Sequence, residues 1–194
     1  MGPAMGMDPT NSKPKPSKAT RSIEQRVVTR RPMEPRSQPG SRYCFVCGFE
    51  NPHGLGAVFY DDGVEVWTEV TPGEYHQSWP GILHGGVVTA ILDETIGRVA
   101  FLHDRWVQTA KLEMRFIKSA PLGQPLTARG RLTQDRRRLM LMEGELIGPD
   151  GTRLAEAKGT FVPVPDDVRA DLARQLGDDF EAWEQWMATR SQNA

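Results

Sequence analysis

Between Val87 and Leu102 the apolar residues Val87, Ala90, Ile91, Leu92, Ile96, Val99 and Ala100 recur at helical spacing and occupy most sides of the helix. A helix that is hydrophobic nearly all round has to be wrapped by the rest of its domain. The flanking segments supply strands to do the wrapping. Upstream, Ala57 to Tyr60 and Val64 to Thr71 read as a hairpin about Asp61, Asp62 and Gly63, with Val64, Val66, Thr68 and Val70 on one face and Glu65 and Glu69 on the other. Downstream, residues 106–118, 125–134, 137–148 and 152–163 alternate in the same way, divided by turn signals at Pro121 to Gly123, at Asp135 with Arg136, and at Asp150 with Gly151. Leu112, Met114 and Phe116 form a core-facing row, while Lys111, Glu113 and Arg115 point away from it. One buried helix followed by meandering strands predicts an α+β domain, an antiparallel sheet curled around a long central helix. The alternating βα units of a doubly wound fold are absent.

A chain of 194 residues has room for one such domain and its tails. Residues 1–42 carry nine Lys or Arg against three acidic residues, with repeated Pro and Ser and little apolar periodicity, and are expected to be a disordered basic arm. The domain then spans 43–164. Residues 165–194 form a peripheral helix and tail, in which Leu172, Leu176, Phe180, Trp183, Trp186 and Met187 fall at helical intervals and Gly177 is the candidate break. Trp183 and Trp186 are read as docking that helix onto the body rather than stacking on a ligand. The overall charge of -1 gives no basic field for nucleic acid, and no secretory h-region or membrane-length apolar run is present. A cytoplasmic protein with neither a nucleic-acid nor a membrane partner is expected.

The two cysteines, Cys44 and Cys47, stand in C-F-V-C-G. A structural zinc site needs four ligands, and no second C-x-x-C or close His pair completes one, so no metal site is expected. A thioredoxin-like pair would open a helix, whereas Gly48, Asn51, Pro52 and Gly54 continue a loop. The pair is read as small residues packing a turn.

The chemistry is concentrated between Pro80 and Gly97, in P-G-I-L-H-G-G-V-V-T-A-I-L-D-E-T-I-G. Gly85 and Gly86 at a helix start let a ligand approach the backbone, and unpaired amides there favour the negative charge that grows on a carbonyl under attack. Asp93 falls in an apolar helix, where an unpaired carboxylate is costly, so it is either a reacting group or bound by a neighbouring Arg or a loop amide. It lies about 12 Å along the axis from Gly85, too far for both to act on one carbonyl within one protomer. Two such helices antiparallel across a two-fold would place Asp93 of one chain beside Gly85 of the other. Glu94, four residues before Arg98, is read as an ordinary helical ion pair, and His84 as an orienting loop residue.

The same chain carries C-F-V-C-G-x-x-N-P-x-G-L from Cys44, Y-H-Q-S-W-P-G-I-L from Tyr75, H-G-G followed by Asp93, and L-A-E-A-K-G-T-F-V-P-V from Leu154. From Tyr43 to Val164 this ordered set resembles the PaaI-like branch of hotdog-fold acyl-CoA thioesterases. The resemblance implies hydrolysis of an acyl-CoA thioester in a homodimer or dimer of dimers, with no cofactor beyond the coenzyme A of the substrate. It implies that the Gly85 amide polarises the thioester oxygen while Asp93 of the facing protomer attacks the carbonyl or activates a water. His84 and Thr109 join the catalytic set, Thr109 aligning with a hydroxyl residue that holds the water in some members. By strand parity, however, Thr109 sides with Lys111 rather than Leu112. Gly86, Gln77 and Ser78 would contact substrate; Arg136, Arg137 and Arg138, at an expected hairpin tip, would meet the phosphates of coenzyme A or remain a solvated turn. Two other readings compete: a hotdog dehydratase of acyl-CoA or acyl-carrier protein that depends on His76, and a non-catalytic acyl-CoA-binding module.

Overall fold

The computed structural model describes residues 31–32 and 41–191; most of the expected N-terminal arm lies outside the described residues. Among the described residues, seven strands form one antiparallel sheet: β1 (Arg31–Pro32), β2 (Val58–Asp61), β3 (Glu65–Val70), β4 (Val107–Phe116), β5 (Leu126–Arg136), β6 (Leu139–Ile147) and β7 (Arg153–Pro163), in the order β1-β2-β3-β5-β6-β7-β4. β4 is paired only with β7, and its other edge is open among the described residues. β1 pairs Arg31 with Asp61 and Pro32 with Tyr60, inside the span read as an arm. The turn between β2 and β3 is built as the sequence suggests. Gly63 takes φ 84, and Asp62 Oδ1 accepts from the amides of Val64 and Glu65.

The central helix α1 (Gly85–Gly97) lies in the curl of the sheet, with Val87, Val88, Ile91, Leu92, Thr95 and Ile96 buried. The single helix expected to reach Leu102 ends earlier. At Gly97 the chain tightens into a 3-10 segment, Arg98–His103, which Asp104 stops in the left-handed region at φ 54. Apolar spacing does not distinguish the two windings over so short a stretch, and a 3-10 turn is a common way for a helix to end.

Close packing fixes the helix against the sheet. A Cβ at Gly130 would stand 3.0 Å from both Cα and Cγ2 of Ile96, and one at Gly144 would stand 2.5 Å from Ile96 Cγ2. These glycines face each other across β5 and β6. Gly159 on β7 is equally constrained, 3.0 Å from Ile96 Cδ1. Ile96 is wholly buried in the recess they leave, worth about 1.5–3 kcal/mol in apolar transfer.

Beyond β7, α2 (Asp166–Leu176) and α3 (Asp178–Ser191) are divided at Gly177, which has φ 52. α3 docks through aromatic rings. Trp183 meets Phe101 edge-on at 4.5 Å, and Phe180 stacks on Trp106 at 5.2 Å. Trp183 is thereby buried at 1% exposure, as docking requires, while the Trp186 side chain lies outside the described residues. Among the described residues, no helix is long and apolar enough to cross a membrane.

Candidate active site

The loop before α1 is held by its own backbone and side chains. Leu83 N donates to Ala120 O and His84 N to His76 O, both at 2.9 Å, and the turn at residues 78–82 is closed by Ser78 N to Ile82 O. Gln77 Oε1 accepts from Gly81 N at 3.1 Å, and the Ser78 hydroxyl donates to Ile82 O. Both side chains are thus engaged within the loop. His84 is the N-cap of α1: its Nδ1 accepts from Gly86 N at 2.9 Å and its carbonyl accepts from the amides of Val87 and Val88. That leaves the helix's first amide. Among the described residues, the Gly85 N–H has no hydrogen-bond partner, so an oriented donor at the positive end of α1 is unspent. A Cβ at Gly86 would stand 3.0 Å from His84 Nδ1, so the second glycine makes room for the capping ring.

At the other end of the helix, Thr109 Oγ1 donates to Asp93 Oδ1 at 2.8 Å. Strand parity from sequence places Thr109 with Lys111, on the wrong face. The structure corrects this with a β-bulge between Thr109 and Lys111: Thr109 pairs with Phe161 and Lys111 with Thr160, so Ala110 is the extra residue. One added residue reverses the alternation, and Thr109 turns toward α1. Asp93 is half-buried, and burial pushes its carboxyl above the ordinary carboxylate range; the Thr109 hydroxyl opposes that rise and the neighbouring Glu94 adds to it.

Gly85 lies beside the ring of Phe116, with 3.6 Å between its projected Cβ and Phe116 Cε1. An open cleft of about 450 Å3 runs here between the loop, the start of α1 and the ends of β4 and β7, lined in part by Ser78, Gly85, Val88, Phe116 and Ala155. Asp93 does not border it, in keeping with the axial separation of about 12 Å between residues 85 and 93. Another concavity, on the outer face of the sheet, is lined by charges of both signs, among them the pairs Arg131 with Glu143 and Arg153 with Glu145.

The arginine run divides. Arg136 is the last residue of β5, paired with Leu139, so the tip is Arg137–Arg138 rather than the expected Asp135–Arg136. All three side chains are exposed. His76 has both ring nitrogens occupied by backbone: Nδ1 accepts from Gly73 N, and Nε2 lies 3.2 Å from His53 O, which fixes Nε2 as the protonated nitrogen. A dehydratase acting through His76 would need one of those nitrogens free.

Sequence reading missed one grouping. Cys44, Cys47 and Glu94 place their sulfur and carboxylate atoms within 4.8 Å of one another. Arg98, 4% exposed, joins them, its Nη2 at 2.7 Å from Glu94 Oε1 and 3.0 Å from Cys47 Sγ. The expected Glu94–Arg98 pair is therefore present but faces a thiol pair that a loop fifty residues away brings to it.

A family model described as the thioesterase superfamily matches residues 80–155, from the loop before α1 to the first half of β7. The crystal structure of a thioesterase superfamily protein is 30% identical, covering 71% of this chain and 68% of that one with a TM-score of 0.60. The chain belongs to this superfamily. Its fold is the superfamily's hotdog, with the PaaI-like arrangement of strands and helix: the E. coli PaaI protein shares it at a TM-score of 0.54 and 15% identity, over 57% of this chain and 81% of that one. Among curated superfamily relatives, acyl-coenzyme A thioesterase THEM4 of Bos taurus is 29% identical over 121 residues, 61% of this chain and 50% of that protein. This chain spans half or less of the length of the curated relatives it matches.

Proposed function

We propose that the protein hydrolyses acyl-CoA thioesters at sites shared between two protomers, each site combining the Gly85 amide of one chain with Asp93 of the other. The observation that carries this reading is Asp93 itself: a half-buried carboxylate with a raised pKa, held by one hydroxyl on the flank of an apolar helix. A carboxylate bound only for structure would be expected to meet an Arg or several amides. Asp93 meets Thr109 and leaves an oxygen for chemistry. The unspent Gly85 amide supplies the complementary group, a fixed donor for the thioester oxygen as it gains charge, an effect worth about 3 kcal/mol for one such contact.

Two features support a shared site. Gly85 and Asp93 are too far apart along one helix, and β4 is an open edge beside which the half-exposed Leu112 and Met114 and the exposed Phe116 lie. Pairing two protomers there, with a further dimer of dimers compatible, covers that row and reverses one helix against the other. In the site, Asp93 attacks the carbonyl or deprotonates a water, with Thr109 orienting its carboxylate and His84 holding the glycine turn. Gly86, Gln77 and Ser78 shape the loop against which the acyl group seats. The Arg137–Arg138 tip lies at the Thr109 end of the sheet, since Asp135 pairs with Met140, Met140 with Phe161 and Phe161 with Thr109. With Arg136, it receives the phosphates of coenzyme A in this reading. The name of THEM4, an acyl-coenzyme A thioesterase, agrees with this substrate class.

The test is thiol release, followed with DTNB, across a panel of aliphatic and aromatic acyl-CoAs. Asp93→Ala is expected to lower kcat by about 100-fold or more while leaving circular dichroism and dimer size unchanged. Near-normal turnover by the folded variant would remove Asp93 from the mechanism, and binding of acyl-CoA without any turnover by the native protein would favour the binding-module reading.

A further inference from the structure

The proposed hydrolysis makes no use of the thiol cluster behind α1. Cys44 opens a tight turn closed by Gly48 N donating to Cys44 O at 2.9 Å, and Cys47 lies within it. Such a turn brings residues three apart to roughly the 5–6 Å Cα separation that a disulfide spans. The two thiols differ in access: Cys44 is half-buried, whereas Cys47 is 7% exposed. Their chemistry differs in the same sense. Both sulfurs lie against the Glu94 carboxylate, Cys44 Sγ 3.9 Å from Oε2 and Cys47 Sγ 3.7 Å from Oε1, and the closeness of Cys47 pulls the Cys44 thiol down to about 6 despite burial and Glu94. The same contact and burial push the Cys47 thiol up. Arg98 adds a buried cation that pairs with Glu94 at 2.7 Å and lies 3.0 Å from Cys47 Sγ, while its Nε and Nη1 have no hydrogen-bond partner among the described residues. That guanidinium stands against the buried thiol, where it favours the Cys47 thiolate over the neutral form.

We propose that Cys44 and Cys47 are a reactive dithiol that exchanges with low-molecular-weight disulfides, with Cys44 as the attacking thiol and Cys47 as the resolving one. The Cys44 thiolate attacks one sulfur of the small disulfide, forming a mixed disulfide and expelling one small thiolate. Cys47 then gives up its proton, attacks the Cys44 sulfur, and expels the second. The protein dithiol loses two electrons and two protons, and the small disulfide becomes two thiols. An accessible low-pKa cysteine next to a buried partner is the arrangement this exchange requires. A bound divalent cation fits the cluster less well. Its donors number three, and Arg98 Nη2 already sits as a fixed positive group against both Cys47 and Glu94. Closure of the disulfide would withdraw both thiols from Glu94, the residue next to Asp93. The inference is independent of the hydrolytic reading, because it is read from sulfur chemistry alone.

The full chain, incubated with oxidised glutathione, alkylated with iodoacetamide and weighed intact, tests it. The native protein is expected to lose two hydrogens and resist alkylation, with a peptide map joining Cys44 to Cys47. Cys47→Ser should trap glutathione on Cys44, and Cys44→Ser should take it up at least about tenfold more slowly than Cys47→Ser does. A native protein that keeps two alkylatable thiols, or ends as a persistent glutathione adduct, overturns the proposal. So does equal uptake by the two variants.

Discussion

Thr109 and Asp93 meet across a strand and a helix because one residue, Ala110, is inserted into β4: Thr109 Oγ1 donates to Asp93 Oδ1 at 2.8 Å only once the bulge has reversed the side-chain alternation. Lys111, Glu113 and Arg115 keep the outer face, and Thr109 joins the row of Leu112, Met114 and Phe116 beside α1. The hydroxyl bond favours the charged form of a carboxylate that burial disfavours.

That balance sets a pH dependence. In the proposed mechanism Asp93 acts as nucleophile or base in its ionised form, so the rate is expected to fall on the acid side as pH drops through its raised pKa. Thr109→Val removes a contribution that lowers the pKa and is expected to move the acid limb of kcat to higher pH, with a smaller effect on the plateau than Asp93→Ala. Rate profiles of the two proteins on one acyl-CoA check this; an acid limb that stays in place or moves downward would separate Thr109 from the carboxylate's titration.

Packing offers a second test. A methyl group at position 144 would stand 2.5 Å from both Ile96 Cγ2 and Arg129 O, neither of which can yield without moving α1 or β5. Gly144→Ala is expected to destabilise the fold by about 1–3 kcal/mol through overpacking. Denaturant unfolding measures it, and an unchanged midpoint would mean that the helix is less closely held than the contacts imply.

The C-terminal helices provide a third. Trp183→Ala removes the ring that meets both Phe101 and Trp106, and limited proteolysis is expected to cut within residues 165–191 well before the sheet is attacked. Cleavage with the native pattern and timing would show that Phe180 and Met187 suffice to dock α3.

The fourth concerns reaction type. With both nitrogens of His76 bound to backbone, a 3-hydroxyacyl-CoA should yield free coenzyme A with DTNB and no enoyl chromophore. Appearance of that chromophore would restore the dehydratase reading.

Much of this architecture is legible in the chain because it is periodic. The change from alternation to helical spacing near Val87 identifies α1 and its burial, and His84, Gly85 and Gly86 mark its start. What escapes is whatever a single residue decides. The bulge at Ala110 has no compositional mark, so parity puts Thr109 on the wrong face. The tip of the β5–β6 hairpin lies at Arg137–Arg138 because three arginines in a row carry no turn signal of their own. Long-range juxtaposition is equally silent: nothing near Cys44 and Cys47 announces that Glu94 and Arg98 will close over them. A C-x-x-C judged by its immediate neighbours looks inert, and its surroundings are supplied by a helix fifty residues away.

Three glycines beneath Ile96 seat α1 close against the sheet near its Asp93 end. The depth of the carboxylate end is therefore set by residues that have no side chain. A side chain at any of the three would lift the helix, and Asp93 with it, away from the strands.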